Sequence, residues 1–448
     1  MTIFYLIRDV KNKFFSDRKE RAVKMDLKDF EIKRLNAETK DERLDALKEL
    51  MEKINKGEIE APKKTNNVNN HIHTFYSFSP YSPTMALFKA YENGLITAGI
   101  MDHDSVAGAK EFIEAGKIIG MAVTVGVECR TNAKNTKIFD KRINNPDQKG
   151  IAYAAIHGIP HTQLDEFEEL LKPVREKRNL RNKKMAAKLN ELFKNDGITL
   201  DFERDIYPIS KACEDGSITE RHILFSLAGK IIEKFGKGEE LVSFLENKVG
   251  IALGEKNREQ MLDKANPYYD YDLLGLLKSE LVEKFYIDAD EECPLIEDFV
   301  KFAADTGGIS AYAYLGDVGS SVTGDKKTQK FEDDYIDLLF QTIKEVGFNA
   351  VTYMPTRNTA VQLELIRKLC FENDLFEISG EDINSPRQSF ICEALQKDEF
   401  KHLINATWAL IGHEKAATRD LKESMFSRKN KEIPLAKRIE KYEKIGKE

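Results

Sequence analysis

Residues 95–104 read LITAGIMDHD, and this stretch decides the fold. An apolar, β-prone run ends abruptly in three ionisable side chains, which is typical of a buried strand whose end reaches a polar site. Six further runs share this form, and with Leu95–His103 they predict seven strands. The six are Val68–Phe75, Ala122–Thr131, Ile151–Ile159, Gly308–Gly316, Phe348–Met354 and Leu375–Glu381.

Helical segments separate several of these strands. Ser82 and Pro83 begin one helix, Asn93-Gly94 ends it, and Ser105–Gly120 forms the next. Strands that alternate with helices favour a parallel sheet or barrel. The sequence therefore predicts an α/β fold, a distorted (β/α)7 TIM-like barrel of seven parallel strands with a helical insertion and a helical N-terminal extension.

The same pattern divides the chain into parts. We expect residues 1–66 to form the helical extension, and residues 67–161 together with 306–392 to form the barrel. Residues 162–305 are the insertion, which begins with a capping box at Thr162–Asp165 and lies as a lid over the strand ends. Residues 393–448 are a helical tail, and the last 25 or so are expected to be a solvated helix or to fray.

Composition excludes several classes of protein. The 448 residues include 69 basic and 76 acidic side chains, a net charge of −7 that argues against binding of extended nucleic acid. The sequence contains no run of about 18 uncharged apolar residues, so no membrane span is predicted. Five scattered cysteines without a CxxC pair argue against a disulfide framework, and we expect a reducing cytoplasm.

Polar clusters end six of the seven strands, and the carboxyl ends of barrel strands converge on one site. Five of the eight histidines lie between residues 71 and 161. His71 and His73 are two apart on a strand, so their side chains share a face and can grip one cation. The other clusters are Asp102–Asp104, Glu128, His157 with His161, Tyr312 with Tyr314, and Glu381–Asn384.

Several motifs together resemble those of the PHP (polymerase and histidinol phosphatase) domain phosphoesterases. The resemblance covers roughly residues 67–390 and includes a segment typical of the branch with a helical insertion. In chain order, the motifs are HIHTFYSFSPYSP (71–83), GIMDHDSVAGAKEF (99–112), GVEC (126–129), ITERHILFSLAGKII (218–232), GGISAYAYLGD (307–317) and SGEDINSP (379–386).

The resemblance implies a divalent metal site that is reduced in this chain. Position by position, His71, His73, Glu128 and Asp382 match the ligands of the first metal. The second metal's histidine positions hold Tyr153 and Tyr314, whereas the third site holds Phe78 and Asn384 and keeps only His103. Phenol and phenyl groups are poor ligands, so we expect one Zn, Mn or Fe ion per chain.

Other residues are candidates for the chemistry. We predict His103 and His157 as general acid or base, although a packed strand-end role fits His157 equally well. Tyr314, or Tyr153, is predicted to donate to a developing charge. For a bound phosphate the sequence offers Arg221 and His222 at a helix start, Arg357 after the sixth strand, and Arg130. The basic stretch 172–188 is either a solvated helix face or a rim that steers anions.

The resemblance thus implies a metal-dependent phosphoesterase with a mononuclear site. Its substrate would be a small anionic phosphorylated molecule, either a phosphomonoester, a nucleotide or an oligonucleotide end. Two alternatives stay open. One is a non-catalytic protein of this fold that binds a metal or ligand, and the other is a mononuclear hydrolase of a non-phosphate bond. The substrate, the native metal and the oligomeric state are not determined by the sequence.

Overall fold

Seven strands form a single sheet in chain order. The computed structural model describes residues 29, 31–317 and 330–448. Each strand lies where the sequence predicts it, with differences of a few residues at the ends. The strands are β1 (Val68–Ile72), β2 (Thr97–His103), β3 (Ala122–Asn132), β4 (Ile151–His157), β5 (Ile309–Ala313), β6 (Ala350–Tyr353) and β7 (Phe376–Ser379).

The α-helices lie around and above this sheet. They are α1 (Lys40–Asn55), α2 (Pro83–Glu92), α3 (Ala109–Ile119), α4 (Leu164–Phe193), α5 (Glu220–Phe235), α6 (Glu239–Phe244), α7 (Glu255–Leu262), α8 (Tyr269–Phe285), α9 (Ile296–Asp305), α10 (Ile336–Val346), α11 (Ala360–Glu372), α12 (Lys401–Arg419) and α13 (Leu435–Lys447). Within the described residues, no helix has the length and apolar character needed to cross a membrane.

The prediction that all seven strands are parallel is wrong for β4. This strand runs antiparallel to both β3 and β5, whereas the other neighbouring pairs are parallel. Residues 133–150, which join β3 to β4, contain no α-helix, and the Ala133 amide donates to the Gly150 carbonyl at 2.9 Å. A parallel crossover needs about a dozen residues or more, usually a helix, so this connection reverses the chain.

The sheet curls so that its two ends meet. The His73 amide donates to the Ile383 carbonyl at 2.9 Å, and the Ile383 amide donates to the His71 carbonyl at 3.1 Å. The Asn70 amide group bonds the Ser379 carbonyl at 2.9 Å across the same junction. These bonds join β1 to the end of β7 and its following loop, which brings the first and last strand ends into one site.

The segment between β4 and β5 forms a core of its own. Buried apolar side chains from residues 185–285 pack together, whereas the start of α4 and the whole of α9 pack on the barrel side. Helix α4 has 30 residues, about 45 Å of helix. It begins near the rim opposite the β2 end, and at Arg178 it reaches Asp104 just beyond β2. The capping box predicted at Thr162 does not form, because α4 begins at Leu164.

The terminal helices also pack against the barrel. Arg43 of α1 makes a buried, two-bond pair with Glu111 of α3 at 2.6 and 2.9 Å. Residues 1–28 and 30 of the predicted extension lie outside the described residues. Of the two forms expected at the C-terminus, a solvated helix or a frayed tail, the structure has a helix, and α13 buries Tyr442 completely against α12. Its charged side chains are exposed or partly exposed except for Arg438, which is buried.

Candidate metal centre

A cavity of about 230 Å³ opens beyond the carboxyl ends of the parallel strands. Strand ends supply its floor, and the segment between β4 and β5 supplies its upper wall through α5 and α8. The floor residues include His71, His73, Glu128 and Asp382, the four that the sequence predicts as metal ligands.

Two imidazoles meet at the floor. His71 Nε2 and His73 Nε2 lie 3.2 Å apart, because i and i+2 on β1 share a face. Two nitrogens bound tetrahedrally to one zinc at about 2.0–2.1 Å would be separated by about 3.3 Å. The observed separation therefore suits a shared cation.

Two carboxylates complete the cluster. Glu128 Oε2 lies 3.9 Å from His71 Nε2, and candidate ligand atoms of His71, His73 and Glu128 all fall within 4.8 Å of one another. Asp382 Oδ1 lies 3.1 Å from His73 Nε2. The set of two imidazoles and two carboxylates fits a divalent ion of the zinc, manganese or iron type.

Two of the cluster residues, His73 and Asp382, have an orienting partner. Ser77 Oγ is 3.2 Å from His73 Nδ1 and donates to Asp102 Oδ1 at 2.6 Å. The Asn384 amide donates to Asp382 Oδ1 at 2.6 Å. Such partners fix ligand orientation in metal sites. Asn384 therefore holds one residue of the candidate metal cluster in position.

Charges in the cluster are tightly coupled. Burial, with the charge of His73, lowers the pKa of His71 to about 4, so its imidazole is neutral at pH 7 and keeps a lone pair for a cation. Burial alone would raise the pKa of Asp382, but His73, together with His71 and Arg221, holds that pKa well below its usual range.

The structure separates the two histidines predicted as acid or base. His103 lies at the cavity, with its ring centroid 4.6 Å from that of His73 and its Nδ1 3.1 Å from Glu128 Oε2. His157 does not line the cavity. Because β4 is reversed, its last residue pairs with Gly126 and Ile309, toward the opposite rim. Burial lowers the pKa of His157 to about 3, and neither of its ring nitrogens has a hydrogen-bond partner among the described residues.

The two tyrosines differ in their hydrogen bonds. Both line the cavity. The Tyr314 hydroxyl donates to Asp333 Oδ1 at 2.6 Å, so its proton is committed to a neighbour and not to the cavity. The Tyr153 hydroxyl instead accepts a bond from Arg130 Nε at 3.1 Å.

Arg130 is not available as a simple phosphate ligand. Its guanidinium is buried and donates to Glu220 Oε1 at 2.8 Å. Arg178 and Arg181 of α4 bond the same carboxylate at 3.1 and 2.7 Å. Despite burial, the three guanidinium groups hold the pKa of Glu220 well below its usual range.

The basic stretch 172–188 divides into two sets. Its five lysines are exposed, as predicted for a solvated helix face, whereas Arg175, Arg178 and Arg181 recur every three residues and are buried. Arg178 and Arg181 also pair with Asp104 and Glu292. The stretch therefore joins the segment above the cavity to the strand ends.

Arg221 and Arg357 do line the cavity, each half-buried, together with Lys278. His222 does not. Its Nδ1 accepts from the Thr219 amide at 3.0 Å, which caps α5, and its ring lies edge-on to Phe78 with 4.9 Å between centroids. The predicted substrate contact by His222 is thus replaced by a structural one.

Phe78 has a packing role in the structure. Its backbone has φ of 120°, a conformation that favours glycine, yet its ring is buried in the core of residues 185–285. The loop after β1 is thereby fastened to the segment above the cavity. The sequence did not predict this role of Phe78, nor the roles of Glu220 and Asp102. For the two acidic residues a signal was available, because Glu220 directly precedes Arg221 and Asp102 directly precedes His103.

Comparison with known proteins gives a partial picture. No family model matches the sequence. Over 152 residues the chain is 27% identical to a 5'-3' exoribonuclease from Haemophilus influenzae, a match that covers 34% of this chain and 47% of that protein. The match therefore spans less than half the length of this relative.

Two solved structures align with a larger part of the chain. One, from Bifidobacterium adolescentis, is described as a metal-dependent phosphoesterase; it has a TM-score of 0.50 and 18% identity, with 77% of this chain and 96% of that chain covered. The other is an amidohydrolase from Chromobacterium violaceum, with a TM-score of 0.47, 17% identity, and 73% and 90% coverage. The chain shares its fold with the first of these proteins.

Proposed function

We propose that this protein is a metal-dependent hydrolase of phosphate esters that uses one divalent cation. His71, His73, Glu128 and Asp382 would hold the ion. The observation that carries the proposal is the convergence of two imidazoles and a carboxylate, within 4.8 Å, on the floor of a cavity that Arg221, Lys278 and Arg357 also line. The fold shared with a protein described as a metal-dependent phosphoesterase supports it.

The substrate is proposed to be small and anionic. Arg221, Arg357 and Lys278 face a cavity of limited size, which suits a phosphate group better than a long duplex. The net charge of −7 also argues against an extended nucleic-acid substrate. The partial relative is named as an exoribonuclease, which favours a nucleotide or an oligonucleotide end within this class.

A bound divalent ion would polarise the phosphoryl oxygen and lower the pKa of water. The chain supplies the rest. Arg221 and Arg357 would orient the phosphate, and Ser77 and Asn384 would hold His73 and Asp382 in place. His103, beside Glu128 at the cavity, is proposed to take or give a proton at the reacting oxygen. The segment 162–305 is proposed to act as a lid that limits water.

The test is hydrolysis of a panel by full-length protein. Phosphomonoesters, nucleotides and short 5'-phosphorylated oligonucleotides are assayed with Mn²⁺ or Zn²⁺, beside carboxylic esters and amides. We expect turnover of phosphate esters by wild type, loss in His71→Ala, and retention in His402→Ala, a histidine outside the cavity. Turnover of only non-phosphate substrates, or no turnover at high enzyme concentration, would contradict the proposal.

A further inference from the structure

Three tyrosines line the cavity, and only one of them has a proton to give. Tyr353 donates its own to Glu377 at 2.8 Å, and Tyr314 donates its own to Asp333 at 2.6 Å. That carboxylate is in turn fixed, because Asp333 Oδ2 accepts from Gln362 Nε2 at 2.7 Å and from the Asp317 amide at 3.1 Å. The Tyr314 proton therefore belongs to a hydrogen-bond network within the protein and is not directed at the cavity.

Tyr153 is the opposite case. Its oxygen accepts from Arg130 Nε at 3.1 Å, and the guanidinium carbon lies 5.6 Å from its ring centroid. Across the part of the chain that the structure describes, no residue accepts the Tyr153 proton. A hydroxyl that accepts from one side directs its proton elsewhere, and Tyr153 lines the cavity.

The backbone around Tyr153 is held firmly. Asn144 Oδ1 accepts from the Tyr153 amide, and Asn144 Nδ2 donates to the Tyr153 carbonyl, both at 2.7 Å. The same amide group donates to the Ala313 carbonyl of β5 at 2.6 Å. One side chain thus fixes the position of Tyr153 between two strands.

Strand register places Tyr153 beside the metal centre. Glu128 of β3 pairs with Ala155 of β4, and Arg130 pairs with Tyr153. Tyr153 is two residues from Ala155 on β4, so its side chain lies on the same face of the sheet as this pair and next to it. The ring centroids of Tyr153 and His103 are 5.9 Å apart. The reversal of β4 produces this placement, since it brings the start of that strand to the cavity.

We propose that Tyr153 is the general acid of the hydrolysis, a step that rests on the proposed function. Water oxygen bonds to phosphorus and releases one proton, which His103 passes to solvent, while the bond from phosphorus to the leaving oxygen breaks. The electron pair of that bond stays on the leaving oxygen, which takes the Tyr153 proton and departs as an alcohol. The phenolate then regains a proton from solvent, so ester and water give phosphate and alcohol.

Arg130 is the positioning residue for this proton transfer. Its guanidinium is held by Glu220 at 2.8 Å and faces the phenol oxygen, where negative charge forms as the proton leaves. A fixed cation at that point stabilises the phenolate without reorganisation. Its role is therefore to support Tyr153, and the phosphate is left to Arg221 and Arg357.

The test compares leaving groups in Tyr153→Phe. The esters share a phosphoryl group and differ in the leaving group, p-nitrophenol against a nucleoside or alkyl alcohol. A p-nitrophenolate departs without a proton, whereas an alkoxide needs one. We expect a loss of about 10²-fold or more on the alcohol ester and of less than about threefold on the p-nitrophenyl ester, since a positioned acid contributes roughly 10²–10⁴-fold.

Tyr314→Phe is the comparison, and any loss it shows should be equal on both esters. Metal content and urea unfolding of both variants are measured alongside. Equal losses on the two esters in Tyr153→Phe, or loss of its metal, would overturn the acid role while the proposed function stands. Absence of wild-type turnover on every ester would instead remove the proposed function, and this inference with it.

Discussion

Replacing Glu220 by alanine should destabilise the protein strongly. Its carboxylate accepts bonds from Arg130, Arg178 and Arg181 at 2.8, 3.1 and 2.7 Å, and its side chain is only 13% exposed. These three guanidinium groups are balanced by Glu220 together with Asp104 and Glu292. Removing Glu220 leaves one buried positive charge uncompensated.

Removing one partner of a buried ion pair costs about 3–5 kcal/mol. The free energy of unfolding of a domain is about 5–15 kcal/mol, so the variant would lose a large share of its stability. Urea unfolding followed by far-UV circular dichroism measures it. If the alanine variant does not fold, Glu220→Gln should show a smaller loss in the same direction, because its amide oxygen still accepts hydrogen bonds.

The matched control is Glu203→Ala. Glu203 pairs at 2.7 Å with Lys183, which lies on α4 as Arg178 and Arg181 do, but the Glu203 side chain is 63% exposed. Exposed pairs contribute little to the free energy of unfolding. A loss in Glu220→Ala no greater than in the control would refute the view that this carboxylate joins the lid to the strand ends.

Three further outcomes are expected. Asp382→Ala should lower bound metal well below one ion per chain in elemental analysis, whereas Asp147→Ala, elsewhere on the cavity wall, should not. Burial raises the pKa of Glu332 to about 7, so the folded state keeps a proton that the unfolded chain releases near pH 4.5. The melting temperature should therefore fall as the pH rises from 4.5 to about 7 and should level off above that range. In Glu332→Gln this dependence of the melting temperature on pH should disappear. Gly412→Ala should lower the melting temperature and release α13, because an added Cβ would lie 1.8 Å from the Tyr442 carbonyl oxygen, and an unchanged melting curve would contradict this packing.

The sequence was informative where chemistry and periodicity coincide. Polar side chains at strand ends predicted the His71, His73 and Glu128 cluster, because strand ends meet at one edge of an α/β sheet. The assignments of these residues as ligands, and of His103 in proton transfer, stay predictions until metal and activity are measured.

The direction of β4 was not predicted, although a signal was present. Residues 133–150 show no helical periodicity, and a parallel crossover would need a helix. The error had a functional consequence, since it placed His157 at the site and left Tyr153 as a secondary candidate. Strand direction decides which end of a strand reaches the cavity.

The arginine network could not be resolved from composition. Arg175, Arg178 and Arg181 look like part of a solvated basic face until their partners on other elements are known. Asp104, Glu220 and Glu292 lie far apart in sequence and meet only in the fold. Likewise, the sequence gives no sign of the packing role of Phe78, which becomes visible only when its ring lies in the core of residues 185–285.

Titration of metal-depleted protein with Mn²⁺ during hydrolysis of a phosphate ester tests the central claim most directly. Phosphate release should rise linearly with added metal and reach a plateau at one equivalent per chain, because one cluster of four ligands is complete. A break at two or three equivalents would contradict the mononuclear site, and no phosphate release at any ratio would contradict the phosphoesterase itself.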